Sequence, residues 1–161
     1  MSGKMPKTMN LSRMSLGVLV LALACCSGLM AQDAKAFFGI WRINLEKTTN
    51  YPQQSQMIIN MPTADGFMST RATIGKDNKN SSSEDHPVVF DGQPHQTTGG
   101  DPRTISYKLI DPNTIERTHN RAGKISMDTE QVSKDGKTLT VNQGGIIRIY
   151  DKIFSVQPVK H

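Results

Sequence analysis

Phe37-Phe38-Gly39-Ile40-Trp41-Arg42-Ile43 sets a glycine two residues before the single tryptophan of the chain, at the head of a β-rich run. Ile146-Ile147-Arg148-Ile149-Tyr150-Asp151-Lys152-Ile153 is a second such run near the other end. Between them lie short alternating runs broken by turn signals roughly every 8 to 12 residues, with no convincing 3.6-residue apolar period, which is an all-β rhythm. The turn signals are Asp65-Gly66, Asp91-Gly92, Asp111-Pro112-Asn113, Ala122-Gly123, Asp135-Gly136 and Gly144-Gly145. Glycine supplies the positive φ of a tight turn, and Asp or Asn closes it through the side chain. Strands joined so tightly pair antiparallel.

Nine strands are expected: Phe38 to Asn44, Gln54 to Met61, Phe67 to Ile74, Pro87 to Phe90, Arg103 to Ile110, Thr114 to Asn120, Ile125 to Val132, Thr138 to Asn142 and Ile146 to Ile153. An open meander of that length leaves two exposed edges, and closing the first strand onto the last removes them. The fold class is therefore a single antiparallel up-and-down β-barrel of about eight or nine strands; a two-sheet sandwich satisfies the same pattern. The polar run Gly75 to His86 reads as a mobile loop, and His95 to Pro102 as a second. Alternation predicts these inward faces: Trp41 and Ile43; Met57, Ile59 and Met61; Met68, Thr70, Ala72 and Ile74; Ile105, Tyr107 and Leu109; Ile125 and Met127; Leu139 and Val141.

The first 31 residues read as a signal peptide, leaving residues 32–161 as one barrel domain. Lys4, Lys7 and Arg13 form a basic region, Met14 to Ala24 an apolar run too short to span a membrane, and small residues follow. Cleavage after Gly28 or Ala31 is expected, with export to the periplasm or beyond. Leu23-Ala24-Cys25-Cys26 also resembles a bacterial lipoprotein box, which makes Cys25 or Cys26 the candidate lipid anchor. Both cysteines fall in this segment, so cleavage leaves no thiol for a disulfide, a metal or a nucleophile. Removing three of the 19 basic residues leaves 16 against 14 acidic ones, a net +2 in place of +5. The basic balance is then no argument for a nucleic-acid partner.

The opening and closing runs resemble the calycins, that is, lipocalins and fatty-acid-binding proteins. In that resemblance Gly39 and Trp41 take the structural positions at the closed end of a lipocalin-like barrel, with Arg148 as the cation over the indole. Arg148-Ile149-Tyr150-Asp151-Lys152 is also similar to the last strand of fatty-acid-binding proteins, where an Arg and a Tyr hold a ligand carboxylate. That role implies Arg148 and Tyr150 on one inward face, whereas Ile147 and Ile149 facing inward would turn both out. The helical lid of that family has no counterpart in Leu45 to Gln53. Gly39 to Lys47, Lys134 to Thr138 and Tyr150 to Lys152 further resemble small secreted bacterial proteins that begin Gly-x-Trp-x-x-Asn-x-x-Lys.

Function is expected to be binding of a small hydrophobic or anionic ligand, with Met57, Met68, Met127 and Tyr107 lining the barrel and Arg117, Arg148 or Tyr150 at the polar head. Thr114 to Asn120 holds one strongly apolar residue, so it brings either Arg117 and His119 or Glu116 and Thr118 inside, unless it is a water-exposed edge. The other reading is a filled barrel acting through its surface as an envelope interaction or structural protein. His86, His95, His119 and His161 show no metal-ligand spacing, and no nucleophile elbow, phosphate loop or zinc-protease motif occurs. No catalytic residue, metal or cofactor is expected.

Overall fold

Every one of the six turn signals falls between consecutive strands. The computed structural model describes residues 33–48, 51–77, 81–98 and 103–157; the expected signal peptide and both cysteines lie outside them. A 3-10 turn, Lys35–Phe37, precedes ten strands: β1 Gly39–Ile43, β2 Gln53–Pro62, β3 Gly66–Gly75, β4 Ser81–Val89, β5 His95–Gln96, β6 Thr104–Asp111, β7 Thr114–Arg121, β8 Lys124–Val132, β9 Thr138–Gln143 and β10 Ile146–Phe154. They form one antiparallel sheet in the order β4-β3-β2-β1-β10-β9-β8-β7-β6-β5. The ends of that order meet at a reciprocal backbone pair, Asp85 N–H to the Thr98 carbonyl at 3.1 Å and Thr98 N–H to the Asp85 carbonyl at 2.9 Å. The result is a nearly closed up-and-down barrel.

One end is plugged. Phe37, Phe38, Trp41, Phe67, Val88, Ile115, Val132 and Leu139 are buried there. The Phe37 and Phe67 rings stack at 6.3 Å, and Phe38 meets Phe67 edge-on at 5.9 Å. The Phe37 carbonyl accepts from both Trp41 Nε1 and Asn60 Nδ2 at 2.9 Å, so the segment before β1 is tied into the barrel floor. Gly39 has φ +130°, and a Cβ there would meet the Phe154 carbonyl oxygen at 2.2 Å. Only glycine lets β10 approach so closely.

The cation over Trp41 is Lys152, with Nζ 4.3 Å from the ring centroid and donating to the Ala36 carbonyl at 3.0 Å. The expectation of Arg148 there is corrected by register. A bulge between Ile40 and Trp41 puts Trp41 opposite Lys152, and Arg148 lies four residues farther along, about 13 Å away in an extended strand.

Three other expectations change. There are ten strands rather than eight or nine, because His95–Gln96 forms a short one. Ser81 to His86 is strand and not loop: its backbone pairs with Ser69 to Ile74 of β3, which a polar run can do while its outward side chains stay in water. The predicted inward faces of β2, β3 and β8 are inverted. Gln56, Ile58 and Asn60 are buried rather than Met57, Ile59 and Met61; Phe67, Ser69 and Arg71 point in rather than Met68, Thr70 and Ala72; Asp128 and Glu130 are buried while Ile125 and Met127 are exposed. The cause is an interior charged over much of its height, so in these strands apolar no longer means inward. The predicted inward residues of β1, β6 and β9 do point in.

Trp41→Ala is expected to lose on the order of 3–5 kcal/mol and Lys152→Ala about 0.5–2 kcal/mol in urea unfolding followed by circular dichroism. An unaltered Trp41→Ala transition contradicts the plug.

Candidate functional site

Above the plug, toward the end where β7–β8 and β9–β10 turn, inward side chains become polar. The two-residue turn at Ala122-Gly123 sets the β7–β8 register, in which Arg117 faces Asp128, Ile115 faces Glu130 and His119 faces Ser126. Arg117 is 1 % exposed. Its Nη2 lies 3.1 Å from Asp128 Oδ2 and its Nη1 2.6 Å from Glu130 Oε1. Glu130 Oε1 also meets Arg71 Nη2 of β3 at 3.5 Å, and Asp128 Oδ2 accepts from His119 Nε2 at 2.7 Å. Burial works against ionisation of both Arg117 and Asp128. The carboxylates nonetheless raise the Arg117 pKa, and the His119 hydrogen bond with the Arg117 charge lowers that of Asp128.

A second cluster joins β4 to β6. Glu84 pairs with Arg103 Nη2 and lies 3.6 Å from His86 Nδ1, an electrostatic contact longer than a hydrogen bond. Burial pushes the Glu84 carboxyl up, but His86 and the Arg103 guanidinium hold it down to about 2. The His86 ring stacks on Tyr107 at 6.0 Å, and burial lowers its pKa below the ordinary 6.5. Burial also raises the phenols of Tyr107 and Tyr150, and that of Tyr51 to about 12.

Arg148 and Tyr150 share the inward face. The Tyr150 hydroxyl donates to Gln56 Oε1, and Gln56 Nε2 donates to Thr73 Oγ1 at 2.8 Å. Arg148 Nη1 donates to Gln143 Oε1 at 2.8 Å, and its guanidinium sits 5.9 Å from the Tyr51 ring centroid. Arg71, Arg103 and Arg117 each have a carboxylate partner; Arg148 has none among the described residues. Several buried polar atoms have no hydrogen-bond partner among the described residues, including Tyr107 Oη, Tyr51 Oη, Arg117 Nε, Arg148 Nε and Asp128 Oδ1.

This interior opens into a basin of about 370 Å³ lined by Arg103, His119, Arg121, Lys124, Ile125, Ser126 and Gln143. Three permanent cations, an imidazole and no carboxylate line it. Gln143 connects it to Arg148. Chemically, the arrangement suits an anion, through charge and multiple donors. Among the described residues no group of three His, Asp or Glu side chains is placed to hold a metal.

Of the residues read from the sequence, Arg148, Tyr150, Arg117 and Tyr107 gather in the interior. Met57 lies on the outward face of β2, and Met68 and Met127 are exposed. Asp128 and Glu130 were not singled out as inward groups. A signal existed: a two-residue turn at 122–123 sets Arg117 opposite Asp128, and opposite charges directly across a ladder are a favourable pair. Arg71, Glu84, His86 and Arg103 carry no comparable local mark.

The fold defines a class, the antiparallel up-and-down barrel with one plugged and one charged end. No protein-family model and no curated protein matches the chain.

Arg117→Met takes the guanidinium from two buried carboxylates, leaving Glu130 with Arg71 and Asp128 with His119, and is expected to cost about 3–5 kcal/mol, read by urea unfolding; a loss under about 1 kcal/mol would show that the pair is not confined as described. Stability should also fall as pH drops from about 7 to 3. Below about 6.5 the unfolded chain takes up a proton that buried His86 resists, and below about 4.5 it takes up another that Glu84 refuses until about 2. His86→Phe should flatten the decline between about pH 7 and 5 and, by removing one of the two groups that hold Glu84 down, make the fall below about 4.5 shallower while Arg103 keeps part of it; an unchanged upper limb contradicts the assignment.

Proposed function

We propose that the protein is an exported, calycin-like barrel that binds a small anionic ligand at its open end, the head of an anionic amphiphile being the best match. The observation that carries this reading is the basin bounded by Arg103, Arg121, Lys124 and His119 with no acidic residue in its lining. Arg148, held by Gln143 at its rear and lacking a carboxylate partner among the described residues, supplies the guanidinium that meets the anion deepest. Tyr107 offers a buried hydroxyl with no partner among the described residues. Arg117 and Tyr150 act by position: their polar groups are engaged by Asp128 and Glu130 and by Gln56. The outward methionines have no part in this site.

A filled barrel acting through its surface is the second reading. The observation in its favour is the full burial of Arg117 between two carboxylates, which occupies the middle of the interior with protein groups.

Titration with decanoate, followed by amide chemical shifts, tests the first against the second. Saturable shifts at His119, Lys124 and Gln143 are expected, with affinity falling about tenfold or more in Arg148→Ala, as for a lost charge-assisted contact. Met68→Ala should bind as the parent does. Absence of saturable shifts in a folded protein would leave the filled barrel as the better account.

A further inference from the structure

Beside the pair that closes the sheet lies a second opening. Asp85 and Thr98 exchange both backbone hydrogen bonds, and the antiparallel register carried on from there sets Pro87 opposite Gln96 and Val89 opposite Pro94. Neither proline has an N–H to give. The short strand β5 accordingly begins only at His95, whereas β6 runs on past it to Asp111. Between Phe90-Asp91-Gly92 on one side and Ser106-Tyr107-Lys108-Leu109 on the other lies a cleft of about 500 Å³, to which Glu116 and Thr118 of β7 also contribute.

Hydrogen-bond parity decides which groups of β6 face this cleft. Thr97 N–H donates to the Arg103 carbonyl at 3.1 Å, and His95 pairs with Ile105 in the same register. Bonded pairs recur at every second residue of an antiparallel ladder, so the odd-numbered residues of β6 turn their N–H and C=O groups away from β7. Beyond Ile105 these are Tyr107 and Leu109. Among the described residues, none of their four backbone groups on this edge has a hydrogen-bond partner. The side-chain charges around the cleft have neighbours of opposite sign or a hydrogen bond: Asp91 meets His95 Nε2 at 3.0 Å, and Lys108 stands across the ladder from Glu116. What is left unmet is backbone, two donors and two acceptors in pairs about 7 Å apart. That is the repeat of a strand, and an extended chain presents its complement. Size agrees: one residue in packed sheets fills about 160 Å³, so the cleft holds about three, the span from Tyr107 to Leu109.

We propose that this cleft takes an extended peptide segment, which adds to the free edge of β6 and runs antiparallel to it, as β5 does. Two of its residues exchange hydrogen bonds with Tyr107 and Leu109 and turn their side chains inward toward Phe90, which packs on Phe67. The residue between them points outward beside Lys108. Apolar side chains at alternate positions suit the inward pair. The site is separate from the basin and does not depend on its occupancy.

Titration with the acetylated, amidated pentapeptide Thr-Val-Thr-Leu-Thr, followed by amide chemical shifts and hydrogen exchange, tests the site. In the free protein the Tyr107 and Leu109 amides should exchange faster than those of Ser106 and Lys108, which bond β7. With the peptide, both should show saturable shifts and become protected, while Lys124 and Gln143 in the basin stay where they are. The same peptide methylated on its valine and leucine nitrogens loses both donors to the edge and should bind about tenfold or more weakly. Because that control alters only the peptide, the fold of the protein does not enter the comparison. A methylated peptide that binds equally well, slow exchange of both amides in the free protein, or an absence of saturable shifts at Tyr107 and Leu109 would overturn the proposal.

Discussion

Arg117 is the constraint around which the barrel is arranged. A guanidinium removed from water must be met by carboxylates in good geometry, and among the described residues Asp128 and Glu130, two residues apart on the facing strand, reach it. That requirement turns the even-numbered face of β8 inward. It also draws Arg71 from across the barrel onto Glu130 and His119 onto Asp128. Once the middle of the interior is ionic, the methionines and isoleucines that alternate with these charges have nowhere to go but outward. The aliphatic exterior and the charged interior are two sides of one choice of strand phase.

Fold class was readable because its signals are local. Asp-Gly, Ala-Gly and Gly-Gly turns punctuate the chain, and each hairpin follows from its own few residues. Closure of β1 onto β10 followed from the cost of exposed edges. Strand phase in β2, β3 and β8 was not readable, because Met57, Met68 and Met127 satisfy the usual alternation so long as the core is assumed apolar. Only a long-range fact, the Arg71–Glu130–Arg117 cluster, reverses that assumption. In the same way, Ser81 to Asp85 has no hydrophobic pattern of its own; β3 makes it a strand by offering backbone partners. For the site, Arg148, Tyr150, Arg117 and His119 stood out by residue type, while Glu84 and Arg103, 19 residues apart, meet only where the sheet curls back on itself.

The two ends of the molecule answer different demands. The floor is aromatic and tightly tied: Phe37, Phe38, Trp41 and Phe67 pack together, and the Phe37 carbonyl is shared by two donors. The upper half is held by charge pairs whose strength depends on pH and on the dryness of their surroundings. The packing below does not titrate, and the contacts above it do.

Strands β1 and β10 pair side by side, and Asn44 Nδ2 reaches Asp151 Oδ2 at 2.7 Å across 107 residues of chain. Every other ladder of the sheet joins strands adjacent in sequence and can zip up from its own turn. This one seam carries the large loop-closure entropy of the fold, the cost on which the speed of closing a barrel depends. Until it forms, β1 has a bare edge, Trp41 lacks its cation, and the meander is an open ribbon. The stability of the finished barrel and the time needed to reach it are thus governed by different residues: the first by the buried charges and the aromatic floor, the second by how soon the two ends of the ribbon find each other.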